Sequence, residues 1–142
     1  MHYDPSSLIV AVSKACGHFP DVEEFSDRLT MQKGCYILNS WGYEPIYKYG
    51  LYIRGPYSKE LADDYYEMHG KISEDTDVSK SDLLRLKELY AKGLPYVEAY
   101  ATVLLLKNNN PNVASNKILD RALELKPRLE KEVREACTSL LA

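Results

Sequence analysis

The stretch TMQKGCYILNSW, residues 30–41, has six apolar residues among its twelve. Its apolar side chains do not keep to one face of a helix; they stand at Met31, Cys35, Tyr36, Ile37, Leu38 and Trp41. A helix that is apolar on several sides is normally buried in the centre of a fold. Gly34 within it costs about 1 kcal/mol relative to alanine, which indicates that another element packs closely there. We therefore predict a central helix from Thr30 to about Trp41.

Further helices are predicted on both sides of this central helix. Towards the N-terminus, Asp4-Pro5 begins a first helix that Gly17 ends, and Asp21 begins a second, short helix. Towards the C-terminus, the spacing of apolar residues and the capping signals predict helices over 59–69, 82–92, 95–107 and 112–125, and a final helix after Lys126-Pro127.

Between the central helix and the next one, the periodicity changes. Residues 45–54 alternate in character and are rich in tyrosine, and Gly55-Pro56 interrupts the pattern. Period two with aromatic and β-branched residues predicts a strand, and so short a stretch favours a two-stranded ribbon. The sequence thus predicts a mainly α fold with a small β-ribbon: one helical domain over 1–142, with the strand or ribbon around 45–54. Three helices followed by a ribbon also suggest a winged-helix-like N-terminal part.

The charge of the chain argues against a protein that binds nucleic acid over its whole surface. The 142 residues carry a formal net charge of -3, whereas such proteins are normally strongly basic. Residues 30–59 differ, because they hold four basic residues against Glu44 alone, a net charge of +3. Tyrosine, which is over-represented at binding surfaces, is also frequent here. The candidate binding face consists of Lys33, Lys48, Tyr52, Arg54, Tyr57 and Lys59.

The sequence contains no signature of catalysis or of metal or cofactor binding. It has no HExxH motif, no paired cysteines at metal spacing and no glycine-rich phosphate loop. Cys16-Gly17-His18 puts a thiol beside an imidazole, but catalytic partners usually come from separate elements, so we expect a core cysteine and a loop histidine. No catalytic residue, metal or cofactor is predicted. The enzymatic alternative is a dispersed site around Arg54, Tyr57 and His69.

Three features predict the cellular location. The three cysteines form no disulfide or metal pattern, and the N-terminus has Asp4 where a signal peptide would have a basic region. The apolar stretches are shorter than the about 20 residues that span a bilayer. We therefore expect a cytoplasmic protein without a membrane segment.

Two segments together match a family pattern: LTMQKGCYIL at 29–38 and YGLYIRGPYSKEL at 49–61. A helix with Gln-Lys and Tyr, followed by an aromatic strand and Gly-Pro-Tyr-Ser, resembles the YwgA-like and Panacea families of largely uncharacterised bacterial and archaeal proteins. The similarity extends to the closing segment from Glu98 to Leu141. The residues that match the shared motif are Gln32, Gly55, Pro56, Tyr57 and Ser58.

The resemblance implies a function and a role for the motif. Panacea-type domains resemble antitoxins or regulatory interaction modules, often beside a toxin or a helix-turn-helix domain, and catalysis is not expected of them. It also implies that most motif residues are architectural, namely Gln32, Gly55, Pro56 and Ser58. The residues themselves agree, because a buried glutamine needs hydrogen-bond partners and could hold the turn at Gly55-Pro56.

Two functional hypotheses follow. The first is a non-enzymatic regulatory or protein-interaction module of antitoxin-like type, with a toxin-like or regulatory protein as its partner. The alternative is a winged-helix-like nucleic-acid-binding protein that contacts phosphates through the basic segment 30–59. A homodimer stays open in either case, because a short ribbon and an apolar helical surface often pair by two-fold symmetry.

Overall fold

The computed structural model describes residues 5–52, 55–67 and 75–141. Over these residues it contains seven α-helices and one two-stranded ribbon, which confirms the mainly α fold with a small β-ribbon. In chain order the elements are α1 Ser6–Cys16, α2 Phe25–Ser40, β1 Gly50–Tyr52, β2 Gly55–Tyr57, α3 Lys59–Glu67, α4 Lys80–Ala91, α5 Leu94–Asn109, α6 Ser115–Leu125 and α7 Glu130–Leu140. A 3-10 turn, Pro127–Leu129, joins α6 to α7. None of the helices in the described ranges is long and apolar enough to cross a membrane.

Helices α2 and α5 form the centre of the fold. Every residue of α2 from 30 to 39 is buried, and so is every residue of α5 from 99 to 106. α2 packs against α1, α5 and β2, while α5 also packs against α4, α6 and α7. The predicted central helix is therefore confirmed, but it begins at Phe25 and not at the predicted Thr30. The burial of all its sides over residues 30–39 explains why its apolar residues do not form a single stripe.

The separate short helix predicted from Asp21 is wrong. Residues 22–24 form a turn, and α2 begins at Phe25. In this turn the Glu24 amide donates to the Asp21 carbonyl at 2.9 Å. The Asp27 carboxylate, in the first turn of α2, accepts the Asp21 amide at 2.8 Å. Because a side chain of α2 binds the backbone of the preceding loop, the loop is a helix entrance and not a helix of its own.

The ribbon lies closer to the C-terminus than predicted. β1 and β2 are antiparallel, with Gly50 opposite Tyr57, Leu51 opposite Pro56 and Tyr52 opposite Gly55. The Gly-Pro pair thus belongs to the second strand and does not end the ribbon. The predicted range of 45–54 overlaps only the first strand.

Residues 45–49 stay outside the ribbon because Asn39 of α2 holds the backbone around them. The Asn39 side-chain nitrogen donates to the carbonyls of Tyr43 and Pro45, both at 2.8 Å. Its oxygen accepts the Tyr47 amide at 3.1 Å. Backbone groups that are bound to this one side chain are not available for pairing with a second strand.

The winged-helix-like arrangement does not fit the described residues. In a winged helix, the helix that precedes the ribbon exposes a face to the major groove. Here that helix is α2, and residues 30–39 of α2 are buried on every side. The chain also reaches the ribbon after two helices, since the short helix at Asp21 does not form.

Gly34 lies where α1 and α4 approach α2. A Cβ atom on Gly34 would lie 2.7 Å from Cγ2 of Val12 and would collide with the hydroxyl of Tyr90. That hydroxyl donates a 2.6 Å hydrogen bond to the Thr30 carbonyl, so it cannot move away without losing this bond. The close packing predicted from Gly34 is confirmed.

Gly34→Ala is expected to lower the free energy of unfolding by about 1–3 kcal/mol, because overpacking outweighs the gain in helix propensity. Urea denaturation measures the change. Ser26→Ala, at an exposed position of the same helix, is the control and should shift stability by less than about 0.5 kcal/mol. A Gly34→Ala variant as stable as the wild type would contradict the packing described here.

Candidate functional site

Gln32 joins α2 to the start of α3. Its side-chain oxygen accepts the Ser58 amide at 2.8 Å, and its nitrogen donates to the Ser58 carbonyl at 2.9 Å. The Ser58 hydroxyl accepts the Leu61 amide at 3.2 Å and so caps α3. All three bonds are buried, where an unmade bond would be costly. Gln32 and Ser58 therefore act as architectural residues, and their two hydrogen bonds lie two residues beyond the Gly55-Pro56 pair.

Gly55 allows the ribbon to approach α2 and α5. Its φ of +97° is a conformation that favours glycine, and a Cβ there would lie 3.1 Å from both Cε of Lys33 and Oγ1 of Thr102. The next residue, Pro56, offers its carbonyl to the Lys33 ammonium at 2.9 Å. The close approach thus lets the ribbon backbone supply a partner for a charged group of α2.

Lys33 lies in the interior and not on a binding face. Its exposed fraction is 1%, so the prediction that it belongs to an exposed basic face is wrong. Burial lowers the pKa of Lys33 to about 8, against the opposing attraction of the Glu98 carboxylate and with a further contribution from Lys126. Lysine is rarely buried without a partner, and here the partners come from β2 and α5, which the sequence pattern did not connect with it.

Glu98 and Lys126 form a largely buried ion pair next to Lys33. Nζ of Lys126 lies 3.4 Å from Oε2 of Glu98, and the side chains are 6% and 13% exposed. Glu98 comes from the first turns of α5, and Lys126 directly follows α6. The group of Lys33, Glu98 and Lys126 thus holds two cations and one anion.

A pocket of about 870 Å³ opens beside this group. We call it the α5–α6 pocket. Most of its lining is apolar and comes from Leu29, Leu51, Leu94, Pro95, Leu125, Pro127 and Leu129. Its charged lining residues are Glu98, Arg121, Lys126 and Arg128. The pocket therefore combines an apolar wall with three cations and one anion.

The two arginines of the pocket lie in more exposed positions than Lys126. Arg121 is exposed and forms a 3.1 Å ion pair with Glu124, one turn further along α6. Arg128 lies exposed in the 3-10 turn, and within the described part of the chain it has no hydrogen bond or ion pair. Arg128 is therefore available to a negatively charged group that enters the pocket.

The other predicted binding residues do not form one continuous face with Lys33. Lys48 and Lys59 are exposed, and Tyr57 is half-buried. Tyr52 belongs to β1. Arg54 lies outside the described residues, as does His69, so the dispersed enzymatic site around Arg54, Tyr57 and His69 cannot be located.

The tyrosines near the ribbon mostly bind within the protein. The Tyr47 hydroxyl donates to Asp64 at 2.6 Å, and the Tyr43 hydroxyl donates to Asp82 at 2.6 Å. The Tyr49 hydroxyl donates to Asn39 at 3.0 Å. These phenols connect the segment before the ribbon to α2, α3 and α4, so a large part of the tyrosine enrichment stabilises the fold.

The pocket residues were missed at the level of sequence, although one signal was present. Glu98 is an isolated charge in the apolar helix predicted over 95–107. A single carboxylate in such a helix indicates a buried partner of opposite charge. Lys126 has a sequence interpretation only as part of the Lys126-Pro127 break between helices, and Arg128 has none, because nothing in their spacing relates them to α2 or α5.

Cys16, His18 and Asp27 form a second cluster of polar side chains. Sγ of Cys16 lies 3.9 Å from Nδ1 of His18, and Nε2 of His18 lies 3.0 Å from Oδ1 of Asp27. The thiol donates to the His18 carbonyl at 3.2 Å, and burial raises the pKa of Cys16. A protonated thiol bound to a backbone carbonyl is a poor nucleophile. Cys16 is half-buried, more open than the predicted core cysteine, and His18 is exposed as expected of a loop.

No family model, curated protein or solved structure shows a significant match to this chain. Among the residues that the structure describes, no group of three or more histidine, cysteine, aspartate or glutamate side chains could hold a metal ion.

Lys33→Met is expected to change how stability depends on pH. The unfolded lysine has a pKa near 10.5 and the folded one a pKa of about 8, so between these values the unfolded chain binds more protons. The contribution of Lys33 to the free energy of unfolding is therefore lowest below about pH 8, and it rises as the pH approaches 10.5. The wild type should gain about 2–3 kcal/mol relative to the variant between about pH 7 and pH 10.

Urea denaturation of both proteins at each pH gives this difference, and titration of the tyrosines cancels because both proteins have them. Lys87→Met, at an exposed position of α4, controls for the loss of one lysine. A difference between wild type and Lys33→Met that is the same at both pH values would contradict the buried ammonium.

Proposed function

We propose that this protein is a non-enzymatic regulatory module that binds a partner protein, and that the α5–α6 pocket takes an apolar segment of the partner that carries an acidic group. The observation that supports this most is the composition of the pocket lining, in which three cations and one anion stand among apolar side chains. Lys33 is a further, buried cation that does not line the pocket but interacts electrostatically with Glu98.

The charges favour an anionic occupant. Among the lining residues, Lys126 is paired with Glu98 and Arg121 with Glu124, so the positive charge that an anion would compensate is mainly that of Arg128. A carboxylate that enters beside Lys126 and Arg128 would provide that compensation. Arg128 can bind a carboxylate through two parallel hydrogen bonds, and within the described ranges it has no hydrogen bond or ion pair that this would break.

The apolar lining favours a protein over a nucleic acid. Protein interfaces combine an apolar centre with a polar rim, whereas nucleic-acid interfaces are dominated by contacts to phosphate. The nucleic-acid alternative also loses one of its predicted contacts, because the ammonium of Lys33 is buried and bound to Pro56.

The resemblance to the YwgA-like and Panacea families is part of this proposal, and it suggests a toxin-like or regulatory partner. A cytoplasmic location belongs to it as well. The three cysteines are unpaired, which suits a reducing compartment.

The proposal is tested with peptides selected for binding from a random display library. The expected ligands combine aliphatic or aromatic residues with Asp or Glu, and a fluorescent copy should bind more weakly as salt rises from about 50 to about 200 mM. Arg128→Glu should weaken binding about tenfold, because it reverses a charge at the pocket. Lys87→Glu makes the same change in net charge on exposed α4 and should leave binding unchanged.

Two outcomes would overturn the proposal. One is that the selected peptides lack acidic residues or bind Arg128→Glu as tightly as the wild type. The other is that a labelled random DNA duplex binds in the same assay and loses binding in a Lys48→Glu, Lys59→Glu variant, which would favour the nucleic-acid function.

A further inference from the structure

The loop before α2 exposes large aromatic side chains. Phe19 is 54% exposed and Phe25 is 55% exposed. Tyr66 of α3 is 48% exposed and its hydroxyl reaches the Val22 carbonyl of the same loop at 3.5 Å. Exposed aromatic residues grouped around one loop are typical of a surface that binds something.

The same loop is acidic. Residues 18–28 contain Asp21, Glu23, Glu24 and Asp27, against Arg28 and His18. Asp27 is engaged with His18 at 3.0 Å, whereas Glu23 and Glu24 are exposed. We call residues 18–25 the acidic loop. It offers aromatic rings and carboxylates side by side.

The acidic loop is held in its conformation by its own hydrogen bonds. The Asp21 carboxylate accepts the Glu23 amide at 2.9 Å, and the Arg28 guanidinium donates to the Val22 carbonyl at 2.8 Å. A loop that is already ordered loses little conformational entropy when it binds. It can therefore act as a rigid ligand for a complementary pocket.

The acidic loop has the chemistry that the α5–α6 pocket requires. The pocket needs apolar groups together with negative charge, and the loop supplies phenylalanines next to glutamates. The loop and the pocket each have one residue in α2: Phe25 begins this helix, and Leu29, one turn later, lines the pocket. When two complementary surfaces lie on the same chain, two copies can pair around a two-fold axis, and the loop of each copy then enters the pocket of the other.

We infer that a second copy of this chain occupies the pocket, so that the acidic loop of each protomer lies in the α5–α6 pocket of the other. In this dimer the pocket that we propose for the partner protein is occupied by the second copy. The inference rests on the proposed function only in treating the pocket as a binding site. Partner binding and dimerisation then exclude each other, which makes the dimer an inactive reservoir.

Analytical ultracentrifugation of the full chain tests the inference, with a concentration series at about 50 and about 200 mM salt. We expect a dimer whose dissociation constant rises with salt. Glu24→Arg and Arg128→Glu should each weaken it about tenfold, because each variant then opposes like charges at both contacts. Glu23→Arg is a second loop variant, and circular dichroism checks that each variant is folded.

Mixing Glu24→Arg with Arg128→Glu should restore the dimer. In the mixed pair, the arginine at position 24 of one protomer faces the glutamate at position 128 of the other. The unchanged Glu24 of the second protomer faces the unchanged Arg128 of the first, so opposite charges meet at both contacts. The matched controls, Glu88→Arg and Lys87→Glu on α4, should dimerise like the wild type both separately and mixed.

A wild type that stays monomeric over the whole series overturns the inference. So does a dimer that neither charge reversal weakens, or one that the mixture fails to restore. The peptide assay separates this failure from failure of the proposed function. If the protein is monomeric and binds the selected acidic peptides, the proposed function is supported and the dimer is not. If it forms a dimer that the charge reversals weaken, but binds no such peptides, only self-association is supported.

Discussion

Helix α2 carries Gln32 and Lys33 into the interior, and both side chains must find polar partners there, because an unpaired buried polar group costs about 1–3 kcal/mol. The backbone around the ribbon supplies those partners at Pro56 and Ser58. The ribbon therefore packs against α2 and α5. Glycine suits position 55 because its φ is +97° and because a Cβ would make tight 3.1 Å contacts with Lys33 and Thr102. The start of α3 is fixed by the same contacts.

The burial of Lys33 also determines the electrostatics of the pocket. Glu98 on α5 stabilises the charge of Lys33 and at the same time pairs with Lys126. One carboxylate thus lies between two ammonium groups, one in the core and one in the pocket wall. Glu98 and Lys126 thus belong both to the surroundings of the buried Lys33 and to the lining of the pocket.

The overall charge of the chain conceals two regions of opposite character. A formal net charge of -3 describes neither the acidic loop before α2 nor the cationic pocket behind α6. The acidic loop ends where α2 begins, and Leu29 of α2 lines the pocket. The basic segment 30–59, which the composition emphasised, proved less informative, because its first lysine is buried and several neighbouring tyrosines bind within the protein.

The sequence by itself determined the class of the fold and the position of its central helix. The apolar residues on several sides of 30–41 required burial, and Gly34 required a close neighbour, because both properties follow from local spacing and side-chain volume. The capping signal at Ser79 and the proline at 95 located two helices to within a few residues. Tertiary structure alone decided that Lys33 is buried and not part of the predicted binding face, since its partners lie 23 residues away in β2 and further along in α5. Tertiary structure also decided where the pocket forms, because its lining comes from separate elements: Leu29, Leu51, Glu98, Lys126 and Arg128. The periodicity within one element carries no information about its contacts with other elements.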